Sequence, residues 1–184
     1  MKRTTTFLFL VTALVCTAAN PPKATFAKVF DSDLTSAEKE IVSLAEAMPA
    51  DKYNFAPTSG EFTGVRTFAQ QMRHIAAVND EVAAAILGEK TPVDIGKSEN
   101  GPDTLDNKDA IVQFLKDSFT YAHKAINSIT AANVLADVKS PFGGGKPTTR
   151  TSLATILTWH SFDHYGQAVV YARMNGIIPP ASRK

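Results

Sequence analysis

Apolar residues recur at spacings of three and four in four separate stretches of the chain, the mark of helices that bury one stripe. The first predicted helix covers residues 24–48, with Phe26, Phe30, Leu34, Ala37, Ile41, Leu44 and Met48 on one face and Pro49 as its stop. The second covers 67–87 through Phe68, Met72, Ile75, Asn79, Val82 and Ile86; Thr67 suits its N-cap and Gly88 its end. The third covers 107–130, with Ile111, Phe114, Leu115, Phe119, Ala122, Ile126 and Ile129 on one side. The fourth covers 152–175: Leu153, Ile156, Leu157, His160, His164, Ala168, Tyr171 and Met174 share a face, and Asn175–Gly176 with Pro179–Pro180 end it.

The segments between these helices read as connections. Residues 51–64 carry the breakers Pro57 and Gly60. Residues 89–106 carry Pro92, Gly96, Gly101 and Pro102, and are long for a link inside a small bundle, so they are expected to cross the bundle end. Ser140–Pro141–Phe142–Gly143–Gly144–Gly145–Lys146–Pro147 reads as a flexible loop. A phosphate-binding loop needs a strand before it and Ser or Thr directly after the lysine, and Pro147 stands there instead. Strand signals are scarce and no repeat is present. The predicted fold is all-α, a four-helix bundle with long connections.

Composition adds little to this picture until the N-terminus. With 44% apolar and 20% charged residues among 184, the chain has the make-up of one globular domain with a real core. The net charge of +1, without a basic stripe, argues against nucleic acid as a partner. Lys2 and Arg3 followed by an apolar run from Phe7 to Val15, too short to span a bilayer, read as a secretory signal. Thr17 and Ala19 suit cleavage after Ala19, giving a signal peptide over 1–19 and a mature domain over 20–184 that is periplasmic or extracellular. A lipoprotein anchored at Cys16 ranks second, because Val15 sits where such signals place a small residue. Cleavage removes Lys2 and Arg3 and leaves 17 basic against 18 acidic residues, a net of −1. It also removes Cys16, the only cysteine, so the mature domain has neither disulfide nor thiol nucleophile.

The chemistry-bearing residues are histidines. His160 and His164 lie four apart on the apolar face of the fourth helix, within about 20° of Leu153, so both rings can meet one ion. Two imidazoles on a buried stripe are costly without partners, and either hydrogen bonds or a metal would satisfy them. The pattern is not that of a zinc protease: Ser161 follows the first histidine where a glutamate base is needed, and Asp163 stands where the inverted motif has Glu. No Glu-x-x-His occurs, which excludes a carboxylate-bridged di-iron bundle. His74 falls about 120° from Phe68, at the edge of its stripe, and His123 about 100° from the centre of its own. Periodicity alone makes both boundary residues.

Phe68–Ala69–Gln70–Gln71–Met72–Arg73–His74–Ile75–Ala76 followed by Asn79, together with His160, His164–Tyr165–Gly166–Gln167, Tyr171, Arg173, Asn175–Gly176 and Pro179, resembles two helices of the DinB-like (DinB/YfiT) superfamily. Tyr53–Asn54–Phe55–Ala56–Pro57 fits the loop after its first helix. The resemblance covers residues 24–180. It implies an up-down-down-up bundle with a three-histidine metal centre, whose ligands would be His74, His160 and His164. No family position calls for His123, which is read as a surface or rim histidine. Members include thiol-dependent S-transferases and a thiol-dependent isomerase, and many have no known activity.

A divalent transition metal, zinc or nickel first, is therefore the expected cofactor. Asp163 and Gln167 flank the ligand face and are candidates for orienting an imidazole, although a solvated or interhelical polar contact is the preferred reading for both. Tyr171 and Arg173 are read as closing the bundle. Two functions are expected: a metal-dependent hydrolase or thiol-dependent transferase, or a non-catalytic exported module that binds metal or a small ligand. Export weighs against the transferase, because small thiols are chiefly cytosolic. The expected partners are a small-molecule substrate or ligand and a second copy of the chain, with no membrane contact once the signal is cleaved.

Overall fold

Four side-chain caps set where the helices begin. In the computed structural model, which describes residues 23–58, 64–96 and 98–184, Thr25, Thr67, Asn107 and Thr149 each accept a backbone N–H three residues on. They open α1 (Phe26–Ala47), α2 (Phe68–Leu87), α3 (Lys108–Asn127) and α4 (Arg150–Met174). At Thr67 the cap is reciprocal: Gln70 returns its side-chain oxygen to the Thr67 N–H at 2.9 Å. Gly88 ends α2 at φ 72°, a left-handed turn that favours glycine. The signal segment expected over 1–19, and Gly60, lie outside the described residues.

Helix α2 packs against α3 and α4, and α1 packs against the same two. Leu34, Ile41 and Leu44 of α1, Phe68, Met72 and Ile75 of α2, Leu115 and Phe119 of α3, and Leu157 of α4 fill the space between them. Among the described residues no helix is long and apolar enough to cross a membrane. The fold is thus the expected all-α one, with four helices in the expected places.

Three details differ from the sequence reading. First, the glycine loop is the turn of a hairpin, β1 (Asp137–Lys139) with β2 (Pro147–Thr149), pairing Val138 with Thr148. Three-residue strands carry too few alternating positions to show in a pattern. Second, Phe26 and Met174, assigned to apolar stripes, are half exposed because each lies in the end turn of its helix. Third, α2 is buried on nearly every side, Arg73, His74, Asn79 and Asp80 included. Residues 98–102 of the connection cover Arg73 and His74, the Pro102 carbonyl accepting from Arg73 Nη1 at 2.9 Å, while Asn79 and Asp80 face α3, where Asn79 Nδ2 donates to Ser118 Oγ at 3.3 Å.

Candidate metal centre

Helices α2 and α4 run side by side and bring His74 of one against His160 and His164 of the other. The ring centroids are 4.5 Å apart for His160 and His164, 4.6 Å for His74 and His164, and 5.0 Å for His74 and His160. One nitrogen from each ring lies within 4.8 Å of the others. His74 and His164 are buried, at 5% and 7% exposure, while His160 stands at the rim. Among the described residues this is the group of metal-ligating side chains that could hold an ion. His123 is elsewhere: its two ring nitrogens lie 2.7 Å from Asp31 and 3.2 Å from Glu38, tying α3 to α1.

Hydrogen bonds fix the tautomers of two of these histidines. His74 Nδ1 is 2.6 Å from the Glu99 carbonyl, which can only accept, so Nδ1 carries the proton and Nε2 keeps its lone pair. His164 Nδ1 is 2.6 Å from Gln71 Oε1. Gln71 Nε2 donates to Gln167 Oε1 at 3.1 Å, and Gln167 Nε2 donates to Asp163 Oδ2 at 3.2 Å. A carboxylate at the end of that chain orients both amides, and so sets the His164 proton on Nδ1 and the free lone pair on Nε2.

The residues fit a metal ion. His74 Nε2 and His160 Nε2 face each other at 3.2 Å, and imidazole ligands of a tetrahedral zinc sit about 3.3 Å apart. Two lone pairs so close repel, so with no ion between them the neutral His160 carries its one proton on Nε2 and shares it with His74, and an ion would take the place of that proton. A second proton is disfavoured: burial first, then the neighbouring imidazoles, lowers His160 to about 3, and burial with His74 lowers His164 to about 4. Burial also lowers His74, against the pull of its bond to Glu99. The positive charge of Arg66 opposes protonation of all three. His160 Nδ1 is buried without a hydrogen-bond partner among the described residues. Neutral imidazoles with aimed lone pairs are what a borderline divalent ion requires.

Asp163 and Gln167 do not touch an imidazole; they act through Gln71, which the sequence reading did not single out. Its signal was its position three residues before His74 on the same helix. Tyr171 closes the bundle as expected, its hydroxyl donating to the Arg66 carbonyl at 3.0 Å, whereas Arg173 is exposed.

Fold and site together define a four-helix bundle with a three-histidine group able to hold a metal ion. The model of the DinB superfamily matches residues 33–168, and the chain belongs to that superfamily. A DinB-like protein from Bacillus cereus ATCC 10987 shares the fold at a TM-score of 0.68 and 16% identity, over 85% of this chain and 96% of the other. A conserved protein from Enterococcus faecalis gives a TM-score of 0.65 and 14% identity, over 83% and 98%. No curated protein matches.

Proposed function

We propose that the chain is exported and that its mature domain holds one divalent transition ion, zinc or nickel, on His74, His160 and His164, leaving open positions for a ligand. One observation carries this reading: three imidazole nitrogens converge, two with tautomers locked to present Nε2, and no side-chain carboxylate or thiol among the described residues completes the group. Three protein ligands with room for a fourth is the pattern of a reactive site rather than a structural one. An ion there supplies Lewis acidity toward a carbonyl, a water or a thiol. The chain's own residues do the rest: Gln71 and the Glu99 carbonyl hold two rings in place, and burial keeps all three neutral. The reaction class that follows is metal-dependent hydrolysis or transfer to a small thiol. Purified mature protein, assayed with and without zinc or nickel on esters, amides and thiol acceptors, should show metal-dependent turnover that disappears in His160→Ala.

A second reading, a module that binds metal or a small ligand without turnover, is favoured by one feature. The groups hydrogen-bonded to the imidazoles are an amide and a backbone carbonyl, and neither takes up a proton at neutral pH. Metal-loaded protein inert in every assay would select it. Export rests on Lys2, Arg3 and the Phe7–Val15 run, and is tested by the N-terminus of protein recovered from its cell: residue 20 or a lipidated Cys16 supports it, whereas Met1 retained on cytosolic protein contradicts it.

A further inference from the structure

The connection 89–106 does more than join two helices. Glu99 is the one non-glycine residue with positive φ among those described, at 54°. Such a conformation persists in a non-glycine only where its surroundings over-determine it, and it marks places where backbone is aimed at a function. Here the aimed group is the Glu99 carbonyl, which receives His74 Nδ1 at 2.6 Å.

Arg66 grips the chain on both sides of that residue. Its Nε donates to Asn100 Oδ1 at 2.6 Å, and its Nη2 donates to the Ser98 carbonyl at 3.2 Å. Asn100 Nδ2 reaches back to Ser98 Oγ at 3.0 Å. Just beyond, Gly101 turns at φ 68° against Phe114, whose Cε1 would lie 2.9 Å from a Cβ at that position. Arg66 is itself fixed: its carbonyl accepts the Tyr171 hydroxyl of α4, and Thr67 beside it caps α2. Arg66 therefore joins the start of α2 to the end of α4 through its backbone carbonyl, and to the loop that carries the His74 acceptor through its guanidinium.

We propose that Arg66 and Asn100 form a latch that holds the Glu99 carbonyl on His74 and so aims His74 Nε2 at the metal position. Arg66 is a positioning residue, two steps removed from any bound ligand, and its effect passes through the tautomer of His74. The inference rests on the metal reading above for its consequence, but the latch itself is readable without metal.

The test uses the full mature protein and the variants Arg66→Met and Asn100→Ala. In apo protein, side-chain nitrogen NMR should show His74 held with its proton on Nδ1 in the wild type and a mixture of tautomers in both variants. Zinc affinity, read by chelator competition, should fall about ten- to a hundred-fold in Arg66→Met, as for other residues that orient a ligand. The visible spectrum of the cobalt-loaded form should change with it. Asp103→Asn alters an exposed carboxylate of the same connection that faces Arg73 and not the latch, so it should bind zinc as the wild type does. The proposal is overturned if Arg66→Met and Asn100→Ala keep the Nδ1 tautomer, or if Asp103→Asn loses as much affinity as Arg66→Met. Absence of zinc binding by the wild type would contradict the metal reading instead, and the tautomer measurement would still decide the latch. Lower melting temperatures with unchanged tautomer and affinity would reduce Arg66 to a purely structural role and refute it.

Discussion

His164 Nδ1 and Gln71 Oε1 stand 2.6 Å apart, and that contact carries the orientation of a carboxylate on the surface to a ring in the interior. Asp163 can only accept, so Gln167 must donate to it, Gln71 must donate to Gln167, and the Gln71 oxygen is left to receive His164. Three side chains thus define one tautomer.

Gln71→Leu removes the acceptor while keeping a similar shape. The ring of His164 is then free to turn or to change tautomer, and zinc affinity should fall about ten- to a hundred-fold. Competition with a chromogenic chelator measures this, and wild-type affinity would show that Gln71 only packs.

Much of this arrangement was legible in the sequence, and the reasons differ by element. Long helices with regular stripes and side-chain caps announce themselves, so α1 to α4 lie within a few residues of where periodicity puts them. His160 and His164 were visible as a pair because one helix face holds both. His74 was not visible from periodicity, which placed it at a stripe edge. What buries it is the connection 89–106, a tertiary contact that leaves no periodic trace. Gln71 was hidden for the same reason: its partners lie 93 and 96 residues away on α4.

Asp80 offers a test of stability that does not involve metal. Burial, and then the nearby Asp117, raises its carboxyl to about 7. The native state therefore holds a proton that the unfolded chain releases near the ordinary value of 3.8, and stability falls as pH rises through the interval between the two. Asp80→Asn should abolish that slope. It should stabilise the protein by up to about 4 kcal/mol at pH 8, since one pKa unit is worth about 1.4 kcal/mol and the interval spans about three units. At pH 4 it should change little. Urea unfolding at the two pH values decides it, and an equal effect at both would contradict the raised carboxyl.

His123 bridges Asp31 and Glu38 across α1 and α3 on a partly exposed surface. His123→Ala should cost about 1 kcal/mol of stability or less, as the loss of a partly exposed polar contact does. It should leave metal content unchanged. A variant that loses its metal would move the site to α3.

The core of Leu34, Ile41, Met72, Phe119 and Leu157 is built from fully or almost fully buried apolar side chains. Apolar burial at roughly 25 cal/mol per Å² acts whether or not an ion is present. The apo protein should therefore remain helical after chelation, unlike a zinc finger. Added metal should raise its melting temperature by binding the native state preferentially. Collapse of the far-ultraviolet circular dichroism on chelation would make the ion structural.

His74, His160 and His164 are proposed to hold one ion. Elemental analysis of the purified mature protein, repeated after reconstitution with zinc and with nickel, tests it most directly. About one divalent ion per chain is expected in the wild type. Background levels are expected in His74→Ala, His160→Ala and His164→Ala, because two remaining imidazoles chelate poorly. Background metal in the reconstituted wild type, or full occupancy in all three variants, would contradict it.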